Sequence, residues 1–199
     1  MEAALAANAE AGLPAIDVSA AQGKYLQLLV RMTGAKRILE VRTLGGYSTL
    51  WMASALTEDG QVVTLEYDPR HAEVARGNFA RAGFEERIAL HVGAAADTLP
   101  KLTEAGAGPF DLVFIDADKP SNVIYLKWAM KLGRPGTVIV LDNVIRGGGI
   151  IDPNATDHSV MGTQAALAMI ANEPRLNATA LQTVGTKGWD GFAIMILDA

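Results

Sequence analysis

Five apolar, β-branched runs recur along the first three quarters of the chain, at residues 37–41, 61–66, 87–92, 111–115 and 136–141. Between them lie segments with helical periodicity, at 48–56, 70–82, 95–102 and 125–132. Regular strand–helix alternation of this kind demands a parallel sheet covered by helices on both faces. The nearly continuous apolar character of 136–141 fits a strand buried on both sides. Two further runs, 178–183 and 191–197, are joined by the glycine-containing stretch 184–190 and read as a hairpin. The last strand is therefore expected to enter the sheet antiparallel. Before the first strand, residues 19–32 read as an amphipathic helix with Ser19 as N-cap and Gly34 as stop. The sequence thus predicts a single α/β domain, doubly wound, with a mostly parallel seven-stranded sheet and an antiparallel last strand. Residues 1–18 are set apart as a lid or dimerisation segment.

Composition narrows the chemistry. With 199 residues, half of them hydrophobic, the chain is long enough to bury a sizeable core. A net charge of −5 carries no basic footprint for nucleic acid. The absence of cysteine removes disulfides, thiolate metal sites and cysteine nucleophiles. The longest uncharged runs, 43–57 and 158–172, fall short of the roughly 18–20 apolar residues a membrane span needs. The first residues lack the positive region of a secretion signal. A soluble, cytoplasmic protein that engages neither membrane nor nucleic acid is expected.

Chemistry-bearing residues gather where the strands end. In Ile38-Leu39-Glu40-Val41-Arg42-Thr43-Leu44-Gly45-Gly46-Tyr47-Ser48 a buried strand runs through an acid and a glycine turn into a helix. Such a turn offers backbone N–H groups and a helix N-terminus to a ligand. Glu66 closes the second strand, where an acid commonly receives ribose hydroxyls. The full Gly-x-Gly-x-x-Gly fingerprint is missing, which argues against a dinucleotide. The same residues also fit a plain tight turn with a solvated Glu66. Asp116 closes the fourth strand, and Asp142 and Asn143 close the fifth. If these strands are neighbours, about 4.8 Å apart, the three side chains converge on one hard cation, of the Mg²⁺, Mn²⁺ or Ca²⁺ type. Lys119, three residues beyond Asp116, would then stand beside the cation as a base. Two helix-capping aspartates and an exposed lysine fit the pattern too. Asp118 is a further candidate ligand, though it reads better as a helix N-terminal acid. His71, His91 and His158 are scattered, and Tyr125, Trp128 and Trp189 read as packing residues. The glycine-rich stretch 144–157 reads as a lid or substrate wall.

Four ordered motifs carry a resemblance. They are Leu39-Glu40-Val41-x-Thr43-Leu44-Gly45-Gly46-Tyr47-Ser48, Thr64-Leu65-Glu66-x-Asp68-Pro69, Phe114-Ile115-Asp116-Ala117-Asp118-Lys119 and Leu141-Asp142-Asn143-Val144. With Gly188-Trp189-Asp190-Gly191-Phe192 they resemble the cation-dependent, S-adenosylmethionine-dependent O-methyltransferases of the catechol and caffeoyl-CoA type, in their small bacterial branch. The resemblance implies a Rossmann-like methyltransferase fold, S-adenosylmethionine and a divalent cation (Mg²⁺ before Mn²⁺ or Ca²⁺), a phenolic small-molecule substrate and a homodimer. It places Glu40, Gly46 and Ser48 around the methionine part of the cofactor, Glu66 at the ribose, and Gly93 and Ala94 at the adenine. It assigns the cation to Asp116, Asp142 and Asn143, with Asp116 also bordering the cofactor, and makes Lys119 the base. Arg42 departs from the pattern, because the family has glycine there. Bulk and positive charge at that position predict weakened cofactor binding, unless Arg42 pairs with the cofactor carboxylate or Glu40. A second departure is Ala94-Ala95-Ala96, where relatives carry polar groups. The alternatives are a methyltransferase fold impaired by Arg42, or a nucleotide-dependent dehydrogenase.

Overall fold

A computed structural model describes all residues, Met1–Ala199. The chain divides into two compact units, Met1–Gly106 and Ala107–Ala199. Its seven strands follow the order β3-β2-β1-β4-β5-β7-β6 in one sheet, so the α/β, mostly parallel expectation holds.

In the first unit β1 (Arg37–Val41), β2 (Gln61–Glu66) and β3 (Ile88–Val92) are parallel, with Val41 opposite Leu65 and Glu66 opposite Val92. Helix α2 (Ala20–Thr33) begins as the sequence predicts. The Ser19 hydroxyl accepts the Gln22 N–H at 3.2 Å, and Gly34 ends the helix at φ 63°, the left-handed position glycine tolerates best. Helix α3 (Tyr47–Ala53) is short and buried. Helix α4 (Pro69–Ala82) starts on Asp68, whose carboxylate accepts the Arg70 N–H at 2.8 Å, with Pro69 in the first turn. Helix α5 (Ala95–Glu104) follows β3. Ile38, Leu39, Met52 and Leu65 lie at the centre of this unit with no more than traces of exposed surface.

The N-terminal segment forms a helix, α1 (Glu2–Glu10), that periodicity does not reveal. It is alanine-rich and buries only Ala4 and Asn8. What holds it is polar. Asn8 Nδ2 donates to Asp17 Oδ1 at 2.9 Å, and Asn78 Nδ2 donates to Asn8 Oδ1 at 3.0 Å.

In the second unit β4 (Leu112–Ile115) and β5 (Val138–Asp142) are parallel, and β7 (Gly188–Leu197) runs antiparallel between β5 and β6 (Leu176–Gly185). The hairpin is longer than the sequence predicts. Only Thr186 and Lys187 form the turn, and the ladder continues through Val184–Trp189 and Thr183–Asp190 pairs. Gly188, at φ 88°, lets so tight a turn close. Helix α6 (Asn122–Leu132) begins three residues before the periodic segment. Helix α7 (His158–Asn172) occupies the long uncharged run and is capped by Asp157, which accepts the Ser159 and Val160 N–H groups. Its many small residues blur the apolar stripe by which sequence reading finds helices. No helix is long and apolar enough to cross a membrane.

Glycine inside a helix costs about 1 kcal/mol relative to alanine unless it allows close contact. Gly77 in α4 is exposed, and a methyl there would meet nothing within 4 Å. Gly77→Ala is expected to raise stability by about 0.5–1 kcal/mol, read as a higher urea midpoint at unchanged slope.

Candidate active site

The turn between β1 and α3 is held by two buried carboxylates. Glu40, with no exposed surface, accepts hydroxyl hydrogens from Ser48 at 2.5 Å and Thr64 at 2.7 Å, and a third from Thr49. Glu66, at the end of β2, accepts the backbone N–H groups of Thr43 at 3.1 Å and Leu44 at 2.7 Å through Oε2. Its Oε1 accepts the Asp68 N–H at 2.9 Å and lies 3.4 Å from His71 Nδ1. A carboxylate has about four acceptor positions, so this one is heavily committed to shaping the turn. Of the backbone N–H groups that this turn could offer a ligand, those of Thr43 and Leu44 serve Glu66 instead. That of Gly46 donates to the Thr43 carbonyl at 2.8 Å.

The two glycines of the turn are required by their neighbours. A methyl on Gly46 would run into the ring of Phe79 in α4, and one on Gly45 into the Asn8 amide. Asn78 donates to the Gly45 carbonyl at 2.9 Å as well as to Asn8. Residues 1–18 are thereby fastened to this turn. Arg42 is half-buried at φ 83°, with its N–H donating to the Leu65 carbonyl at 3.0 Å. Left-handed backbone costs a residue with a Cβ about 1–2 kcal/mol, so the position suits glycine on conformational grounds alone. Gly93, at φ 139°, donates its N–H to the Glu66 carbonyl at 2.8 Å, and Ala94 caps α5 with both residues half-buried.

Two features here escape sequence reading. His71 stands on α4 against Glu66, because Asp68 and Pro69 start the helix immediately after the strand. Tyr67, directly after Glu66, is 76% exposed, an apolar ring open to a stacking partner beside the acid assigned to ribose. Its position next to Glu66 is the signal that could have found it.

The second group of residues lies within the other unit. Ile115 is the register partner of Leu141, so Asp116 and Asp142 follow at the same rim of adjacent strands. Asp142 is buried, and its Oδ1 accepts the Asn143 N–H at 2.8 Å. Asn143 turns the chain at φ 59°, a conformation asparagine tolerates better than most residues. Lys119, 6% exposed, donates from Nζ to Asp116 Oδ1 at 2.9 Å. No three His, Cys, Asp or Glu side chains cluster, so a cation here would have to rest on two carboxylates and the Asn143 amide. Oxygen donors on a fixed rim fit a hard divalent ion and leave positions for outside ligands.

Asp118 does not cap the 3₁₀ turn that bears Lys119. It accepts the Tyr125 hydroxyl at 2.5 Å. Burial first, and this bond second, push the Tyr125 hydroxyl well above the usual phenol range.

The segment 144–157 is held at several points. Asp190 Oδ1 accepts the N–H groups of Ile145 at 3.0 Å and Arg146 at 2.9 Å. Trp189 covers Gly148, where a methyl would stand 2.9 Å from its ring. Gln164 donates to the carbonyls of Ile150 at 3.0 Å and Asp152 at 2.7 Å. Trp128 lies under the Lys131 ammonium, 4.5 Å from the ring centre. His91 and His158 are exposed.

This arrangement has close relatives. The model of the O-methyltransferase family matches residues 2–192. A catechol O-methyltransferase of Mycobacterium tuberculosis is 55% identical over 197 residues, 99% of this chain and 88% of that protein. A catechol O-methyltransferase of Niastella koreensis is 53% identical over 189 residues, 95% and 86% of the two chains. The crystal structure of the O-methyltransferase from Bacillus cereus in complex with SAH superposes with a TM-score of 0.97 at 51% identity, covering 99% of this chain and 90% of that one. The chain belongs to the O-methyltransferase family. Membership removes the dehydrogenase alternative.

Replacing Arg42 by glycine is expected to relieve the left-handed strain and stabilise the protein by about 0.5–1 kcal/mol net of glycine's entropy. Chemical denaturation of both forms measures it. A lower midpoint for Arg42→Gly would mean that contacts of the arginine side chain outweigh its backbone cost.

Proposed function

We propose that the protein transfers the methyl group of S-adenosylmethionine to a hydroxyl of a catechol-like acceptor, with a divalent cation held by Asp116, Asp142 and Asn143. The observation that carries this reading is the rim of β4 and β5, where two aspartates end adjacent strands and the buried Lys119 amine rests on Asp116. Mg²⁺ is the cation we favour, ahead of Mn²⁺ or Ca²⁺, because it is commonly held by one or two carboxylates while keeping several waters. Bound there, it would supply Lewis acidity that favours the phenolate of an acceptor with two adjacent oxygens.

The remaining work belongs to the chain. In its uncharged form Lys119 accepts the proton of the reacting hydroxyl at Nζ. The freed oxygen forms a bond to the methyl carbon as the carbon–sulfur bond breaks, and the electron pair leaves with sulfur. Glu66 receives a ribose hydroxyl at the acceptor position left open while it holds the Thr43–Leu44 turn. Glu40 orients Ser48 toward the cofactor carboxylate, and Gly93 and Ala94 border the adenine beside Tyr67. The pinned segment 144–157 walls the acceptor and excludes water. Rate enhancement in such a site comes from alignment and fixed charge. SAH in the Bacillus cereus relative and the catechol O-methyltransferase activity by which the Mycobacterium tuberculosis and Niastella koreensis relatives are named support the donor and the acceptor class. The exposed edge strand β6, with Leu181 and Val184 open, supports a homodimer.

Asp116→Ala is expected to lower turnover of a catechol by at least about a hundredfold with circular dichroism unchanged, as is chelation of the wild-type enzyme. Full turnover in the variant would sink the cation reading. The left-handed Arg42 favours a second reading, in which the fold is kept and cofactor binding is impaired. Calorimetric titration with S-adenosylmethionine tests it. Arg42→Gly is expected to bind at least about tenfold more tightly, some 1.4 kcal/mol, and equal affinities would exclude impairment.

A further inference from the structure

The turn carrying Lys119 is gripped from two helices by residues with no role in the reaction described above. In α7, Gly162 has an ordinary helical backbone, so nothing about its own conformation requires glycine. A methyl there would stand 2.6 Å from the Lys119 carbonyl carbon and 2.7 Å from Pro120 Cα. Both are main-chain atoms, which cannot swing aside as a flexible side chain would. The glycine therefore lets α7 rest directly on the Lys119–Pro120 peptide. Gly77 in α4 is the contrast, since a methyl there meets nothing. On the other side, the Tyr125 hydroxyl in α6 donates to Asp118 at 2.5 Å and ties down the residue before Lys119. Pro120 stiffens the turn further by fixing its own φ.

We propose that Gly162 and Tyr125 are positioning residues for Lys119: together they hold the 118–120 turn so that Nζ stays on Asp116. The proposal rests on the reading of Lys119 as the proton acceptor. An alanine at 162 pushes the Lys119 peptide away from α7, and the amine moves with it. Displacement of a catalytic group by about 1 Å can cost up to a hundredfold in rate. The loss should fall on the proton-transfer step. An acceptor already ionised at the assay pH needs no base, so it should escape most of the loss.

The test uses the full chain as wild type, Gly162→Ala, Tyr125→Phe and Lys119→Met. Each is assayed with Mg²⁺ and saturating S-adenosylmethionine on catechol and on 4-nitrocatechol, whose acidified hydroxyl is ionised. For Gly162→Ala the expected result is a loss in kcat of about tenfold or more on catechol. It is accompanied by an unchanged KM for S-adenosylmethionine and a clearly smaller loss on nitrocatechol. Tyr125→Phe should show the same pattern more weakly, and it keeps the ring that packs α6 should Gly162→Ala fold poorly. Amide exchange of residues 118–122 in the ligand-free protein, read by mass spectrometry, should quicken in both variants. Equal losses on the two acceptors, or unaltered exchange, would overturn the positioning role. If Lys119→Met alone shows the acceptor-dependent loss, the base reading stands and this proposal falls. If Lys119→Met retains full kcat on catechol, both fall.

Discussion

The carboxylate of Glu66 is the contact on which the order of the first unit depends. It ends β2 but spends its lone pairs on the backbone of the neighbouring turn, at Thr43 and Leu44, and on Asp68 at the start of α4. A buried carboxylate is tolerable only when N–H or O–H groups replace its water. Here that requirement draws β1, the turn and α4 to a single point. Glu40 repeats the solution one layer deeper, with three hydroxyls in place of N–H groups. The turn is thus shaped before any ligand arrives, and preorganisation of this kind lowers the cost of binding.

The same economy governs the glycines. Gly45 and Gly46 are small because Asn8 and Phe79 press against them, and Gly162 is small because a main-chain peptide lies on it. Arg42 breaks the pattern. It occupies a left-handed position, as Leu44 does two residues further on, and the fold accommodates both at a conformational cost. The segment 144–157 shows how a glycine-rich stretch is held in place. Three left-handed residues, Arg146, Gly147 and Gly148, curl it under Trp189, and Asp190 and Gln164 take up its polar backbone. Glycine content reports which shapes a chain can adopt, and contacts decide whether it stays in one.

The placement of the candidate site residues at the strand ends was legible in the sequence. Strand ends carry their chemistry at fixed places, so Glu66, Asp116, Asp142 and Asn143 could be named from apolar runs alone, and the pairing of β4 with β5 brings the two aspartates to one rim. Helices α1 and α7 were not legible. Alanine-rich and small-residue segments lack a strong apolar stripe, and α1 is held through Asn8 by Asp17 and by Asn78, which is distant in sequence. The neighbourhood of His71 and Glu66 was likewise hidden, since it depends on how α4 leaves β2.

By itself the sequence determined the alternation of strands and helices, the parallel order it imposes, and the residue types at each strand end. These follow from local periodicity and short-range sterics. Only tertiary structure decided what those residues spend their hydrogen bonds on. Glu66 turned inward to its neighbouring turn, Asp118 went to Tyr125 rather than to a helix cap, and Lys119 was seated against α7. Each choice is a competition among partners brought together from distant parts of the chain, and no local pattern encodes its outcome.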